Sequence, residues 1–179
     1  DCVQAARSDI KTWTTLLDAR LIYGPERLFA DLTRAVQSLR TPEAVSAYIE
    51  GKLEEREIRH RRLGDSRYVL EPDVKEGKGA LRDYQTLIWV ANVVYGAKSP
   101  EDLARTGILS RKEARHFSKA HDYLLTVRCH LHDITGRAEE RLHFDVQPAL
   151  ARRLGYDAGR SNMKDVERFM KHYFLTTRD

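Results

Sequence analysis

Leu70-Glu71-Pro72-Asp73-Val74-Lys75-Glu76-Gly77-Lys78-Gly79-Ala80-Leu81-Arg82-Asp83 is the one long break in a chain whose apolar period is otherwise helical. Pro72 cannot continue a helix, Gly77 and Gly79 give the backbone access to positive φ, and a helical pattern resumes at Leu81. Amides at a helix start have no partner within the helix and attract negative charge. With Lys75, Lys78 and Arg82 as countercharge, the stretch reads as an anion-binding loop.

Upstream, Ser8 or Asp9 can cap a helix with Ile10, Trp13, Leu16, Leu17 and Leu21 on one stripe, closed by Gly24. Pro25 suits the first turn of a second helix through about Leu39, and Thr41 caps a third that has Pro42 at its first position and ends at Gly64. Residues 65–79 leave the helical pattern, with Tyr68-Val69-Leu70 short and extended.

Downstream, a helix from about Leu81 carries Leu87, Ile88, Val90, Ala91 and Val94 to Gly96. Ser99-Pro100 starts a short helix ending at Gly107. Ser110-Arg111-Lys112-Glu113 is a capping box that opens the longest helix, to Gly136. Asp145 is the expected cap of a helix with Pro148 in its first turn, and Ser161 opens a last one through about Tyr173. The class is all-α: about seven or eight helices and one glycine-containing irregular loop at about 65–80.

With 179 residues, 41% hydrophobic and 32% charged, the chain has enough apolar surface for a core and is no disordered tail. The net charge of +4 is a small excess of 31 basic over 27 acidic residues, too balanced to indicate a nucleic-acid partner. Cys2 and Cys129 form neither a disulfide framework nor a zinc pattern, so a reducing cytoplasm is expected. No apolar run approaches the roughly 20 residues of a membrane span. The absence of an initiator Met and of a leader pattern suggests a piece of a longer protein.

Residues 70–83, the earlier Asp9-Ile10 with Thr15-Leu16-Leu17-Asp18-Ala19-Arg20 and Gly24, and the later Gly136-Arg137, Arg141-Leu142, Phe144-Asp145 and Gln147 together resemble one family. It is the bacterial bifunctional uridylyltransferase and uridylyl-removing enzyme of the nitrogen regulatory protein PII. The similarity runs to Val166-Glu167-Arg168-Phe169-Met170-Lys171-His172-Tyr173. One departure is Ala80, where the family usually has a second consecutive Gly.

The resemblance implies that residues 1–179 are a single helical domain, after a nucleotidyltransferase core and before a phosphohydrolase domain. It implies UMP transfer from UTP to PII with Mg²⁺ in the core, hydrolytic UMP removal, and glutamine as effector through other domains. The core's Gly-Ser and Asp-x-Asp are absent from this sequence, so this piece alone is expected to be inactive. A glutamine synthetase adenylyltransferase fragment and a non-catalytic helical interaction module are the alternatives. The implied nucleotide-binding residues are Lys75, Gly77, Gly79 and Arg82, where an Arg fork and a Lys point charge suit a triphosphate. A purely structural turn is the competing reading.

Asp83 reads as electrostatic complement to the helix start. Asp9 and Arg20, 11 residues apart, would share a helix face as supporting residues. His121-Asp122 and His132-Asp133 fall on one long helix, with the histidines at the edge of the stripe formed by Phe117, Ala120, Leu124, Val127, Leu131 and Ile134, and the aspartates toward solvent. Converging metal ligands would not lie so, and no metal site is assigned, to these or to the looser group of Cys129, His130, His143 and Asp145. Trp13 and Trp89 read as core. The basic run Arg56, Arg59, His60, Arg61, Arg62 interleaves with glutamates and reads as a solvated helix or a domain contact.

Overall fold

The computed structural model describes residues 2–64, 69–156 and 162–178. Among these the chain forms nine helices and no strand, as the all-α reading requires: α1 (Cys2–Ser8), α2 (Ile10–Leu17), α3 (Glu26–Gln37), α4 (Pro42–Arg62), α5 (Leu81–Tyr95), α6 (Pro100–Arg105), α7 (Arg111–Thr135), α8 (Gln147–Arg153) and α9 (Asn162–Arg178). The expected cap at Ser161 and the extended start at Tyr68 lie outside the described residues.

Most boundaries follow local chemistry. Thr41 accepts from the Ala44 amide and Ser99 from the Asp102 amide, while Ser110 and Glu113 form the reciprocal capping box. Gly96 and Gly136 close α5 and α7 in the left-handed conformation.

Three expectations are corrected. Asp9 does cap a helix, but an additional helix, α1, precedes it. Asp9 has extended dihedrals and its carboxylate binds the amides of Lys11 and Thr12, so it restarts the helix as α2. That helix then ends at Leu17 rather than near Gly24, which leaves Leu21 40% exposed and off the buried stripe. Asp145 does not cap α8. Val146 occupies the N-cap with helical dihedrals and no side-chain bond, because the chain already enters in a turn, with the Val146 and Gln147 amides donating to the His143 carbonyl.

The two larger of three apolar clusters among the described residues set the architecture. Trp13 and Leu17 of α2 pack with Val36, Leu39, Tyr48 and Val93 to close α1 to α4 onto α5. Leu124, Val127 and Leu131 of α7 pack with Leu150, Phe169 and Tyr173 to join α7, α8 and α9. Val74 from the irregular segment and Leu81 from the start of α5 are buried in that second core. Residues 70–83 therefore lie where α4, α5 and the α7–α9 group meet. His121 and His132 of α7 are half-buried at the stripe edge and Asp122 and Asp133 are exposed, as their helical positions dictate.

The two segments most characteristic of the sequence pair directly. The Val74 amide donates to the Glu140 carbonyl (2.8 Å) and the Leu142 amide to the Pro72 carbonyl (2.9 Å), forming one antiparallel bridge between Asp73 and Arg141. The Glu71 carboxylate accepts from the Phe144 amide at 2.8 Å, and the Gln147 amide group donates to the Leu70 and Leu142 carbonyls. Arg128 of α7 grips Glu140 with two nitrogens, at 2.8 and 2.5 Å.

Gly79 is fixed by both conformation and space. Its φ is +77°, and a Cβ there would lie 1.9 Å from the Thr177 carbonyl oxygen of α9. Replacing Gly79 with Ala is expected to destabilise the protein by about 3 kcal/mol or more, measured by denaturant unfolding. Near-wild-type stability would show that α9 does not pack on the loop this way.

Candidate functional site

The loop is organised by two aspartates. Asp73 accepts from the amides of Lys75 (2.9 Å) and Glu76 (2.7 Å) through Oδ1, a side-chain turn of the kind Asp favours, and its carbonyl accepts from Gly77. A Cβ at Gly77 would sit 2.4 Å from that carbonyl oxygen, so the turn closes only on glycine.

Asp83, in the first turn of α5, takes the Gly79 amide on Oδ2 at 2.7 Å and Arg59 Nη2 on Oδ1 at 2.5 Å. His60 Nε2 lies 2.9 Å from Oδ2 and 3.1 Å from Oδ1, and Arg56 Nε stands 3.7 Å away. Asp83 is thus a half-buried joint between α4, the loop and α5. The expectation of a merely electrostatic complement to the helix start understates it. The expectation of a solvated helix fails for Arg59 and His60, both under 10% exposed because they turn inward to this carboxylate.

These contacts also consume the donors at the start of α5. The Leu81 and Arg82 amides donate to the Val74 and Lys75 carbonyls at 3.3 and 2.8 Å, and the Ala80 amide to Gly77. The helix start was expected to present unpaired amides. It presents satisfied ones, and any anion recognition falls to side chains.

The predicted cations separate. Lys75 lies near Glu140, whose pKa stays below the ordinary carboxylate value: burial pushes it up, but Arg128, His132 and Lys75 push it further down. Lys78 lines a small cavity of about 30 Å³ beside Glu71 and Tyr173. Arg82 instead faces an open cleft of about 570 Å³ between α2, α4 and α5.

Arg82 contacts Glu76 loosely, at 3.4 and 3.5 Å, bonds Gln85 at 2.9 Å, and lies 5.6 Å from the Trp89 ring centre. Asp9 and Arg20 do not share a helix face, because α2 ends before Arg20, and Arg20 is exposed. Lowered by its bonds to the Thr12 side chain and the Thr12 and Lys11 amides, the pKa of Asp9 reflects its cap role.

The cleft carries residues that the sequence reading did not assign. Lys52, from α4, is buried on its floor with its ammonium 4.9 Å from the Trp89 ring centre and 2.7 Å from Glu55. Trp89 is half-buried, and its indole N–H donates to Asp18 at 2.8 Å, which ties α5 to the end of α2. Lys11, Arg59 and Arg62 also line the cleft, so five cations face two carboxylates, Glu55 and Glu76.

The spacing signal was present in the sequence. Tyr48, Lys52, Glu55, Arg59 and Arg62 recur at intervals of three and four, one face of one helix. Among the described residues no group of three or more His, Cys, Asp or Glu could hold a metal ion; the Mg²⁺ that the resemblance implies is assigned to the nucleotidyltransferase core and not to these residues. Likewise, no helix among them is long and apolar enough to cross a membrane.

This arrangement of a braced loop beside a basic cleft can be set against known proteins. Residues 47–179 match the family model described as GlnD PII-uridylyltransferase. The chain is 45% identical over all of its 179 residues to the bifunctional uridylyltransferase/uridylyl-removing enzyme of Azospirillum brasilense, of which it spans 19%. No solved structure matches it. The chain belongs to the PII-uridylyltransferase family, and the match favours that family over the adenylyltransferase alternative.

Replacing Asp83 with Asn keeps the shape and removes the charge that Arg59 and His60 share. The expected loss is about 3 kcal/mol of unfolding free energy, with faster hydrogen exchange at the Gly79 amide. Unchanged stability and exchange would contradict the role assigned to this carboxylate.

Proposed function

We propose that this chain is a single helical domain of a PII uridylyltransferase and uridylyl-removing enzyme, and that its loop and cleft complete a nucleotide pocket formed with a nucleotidyltransferase core. In the whole protein, UTP and PII give UMP-PII and diphosphate. A PII tyrosine oxygen forms the new bond to the α-phosphorus, and the bond from that phosphorus to diphosphate breaks. Mg²⁺ bound in that core would supply charge neutralisation at the phosphates. Uridylyl removal is hydrolytic and belongs to a separate domain, glutamine acts through further domains, and the setting is cytoplasmic.

The observation that carries this reading is Arg82, held by the string most specific to the family yet turned into a cation-rich cleft. Its guanidinium is half-buried and its contacts to Glu76 are long, so it retains donors for a phosphate oxygen. Lys75, Gly77 and Gly79 form the turn that holds Arg82 in position. Asp83 anchors that turn, while Asp9, which caps the start of α2, and Arg20, which follows its end, are supporting residues. The sequence contains no Gly-Ser and no Asp-x-Asp, so it supplies no transferase chemistry by itself.

The test is UMP transfer to PII by the full-length protein carrying Arg82→Ala, with uridylyl removal assayed on the same sample. Transfer should fall roughly 10²-fold or more, as for loss of an electrostatic contact at a reacting phosphoryl group, while removal persists. Unchanged transfer would make the loop purely structural. Joint loss of both activities would make Arg82 a residue that holds the fold.

A further inference from the structure

We propose that the cleft between α2, α4 and α5 is a seat for the phosphate groups of a nucleotide, with Lys52 and Arg59 as its floor and Arg82 as its wall. This rests on the nucleotide-pocket reading above and assigns the binding to residues outside the glycine loop.

Lys52 is the first reason. Its side chain is 5% exposed, and its ion-pair partner Glu55 is 40% exposed and therefore partly shared with water. Burying an ammonium group is costly unless it is paired and hydrogen-bonded. The Trp89 and Tyr48 rings at 4.9 and 5.9 Å offset part of that cost. An ammonium has three donors, and a phosphate oxygen would take up capacity that Glu55 alone leaves unused.

Arg59 is the second. It is nine-tenths buried and lines the same cleft, and its Nε makes no hydrogen bond, with Glu76 Oε2 3.7 Å away. A buried donor left without an acceptor is unusual; the Nε itself is closed to solvent, so Arg59 serves the cleft through its charge.

The surroundings fit the same ligand. Arg82 adds a planar fork beside Trp89, and Lys11 and Arg62 put further positive charge at the exposed rim. Spread negative charge on several oxygens matches Arg forks combined with a Lys point charge. A cavity of about 570 Å³ accommodates a nucleotide's phosphate chain. The start of α5 cannot substitute, since its amides already have partners within the chain.

The experiment is steady-state UMP transfer by the full-length protein at varied UTP, for Lys52→Ala and for the exposed rim variant Arg62→Glu, with uridylyl removal and thermal unfolding measured alongside. The KM for UTP should rise roughly ten-fold or more in Lys52→Ala and several-fold in Arg62→Glu, while removal is retained. If Lys52→Ala fails to fold, Arg62→Glu decides alone.

A KM within two-fold of wild type in the folded variants would overturn the proposal, even if Arg82→Ala still lowers transfer. In that case Arg82 still serves the nucleotide pocket, and Lys52, Arg59 and the rim do not seat the phosphates. If Arg82→Ala is silent as well, both readings fall. Transfer and removal declining in step with unchanged KM would make the cleft a contact for another domain and would likewise overturn the proposal.

Discussion

The Asp83 carboxylate, shared by Arg59, His60 and the Gly79 amide, is the interaction on which the rest of this structure depends. It joins the last turns of α4 to the first turn of α5 and fixes the glycine turn between them. Because these groups are largely withdrawn from water, each is held by the others rather than by solvent, and the removal of one strands its partners. The same helices, α4 and α5, form the floor and wall of the basic cleft. The joint therefore sets the cleft's geometry.

A second brace works from the opposite side. Residues 72–74 pair with 140–142, Glu71 and Gln147 lock the flanks, and Thr177 of α9 packs against Gly79. The glycines thus answer to close approach by the protein's own backbone. Once the loop's amides are used internally, recognition of an anion must come from side chains. The cations that converge are Lys52, Arg59 and Arg82, not Lys75 and Lys78.

Much of the helical frame was legible because capping is local. Asp9, Thr41, Ser99, Ser110, Gly96 and Gly136 each act within a few residues of themselves, and each marks a true boundary. The end of α2 was not legible, because Asp18 leaves the helix to accept from Trp89, a residue 71 positions away. The inward face of α4 was missed for a related reason. Its three-and-four spacing was visible, but Lys and Arg ordinarily favour solvent, and only tertiary partners such as Asp83 and Trp89 turn them inward. At the site, Arg82 was reached through the family string, whereas Lys52 required the packing of three helices.

The most direct test of the central joint is a double-mutant cycle between Arg59→Ala and Asp83→Ala, with unfolding free energies measured for wild type, both single variants and the double variant. If the carboxylate links α4 to the loop, the two substitutions should be coupled by about 1.5 kcal/mol or more, the second costing far less once the first is made. Additivity within about 0.5 kcal/mol would contradict the account, because the two residues would then stabilise the protein independently.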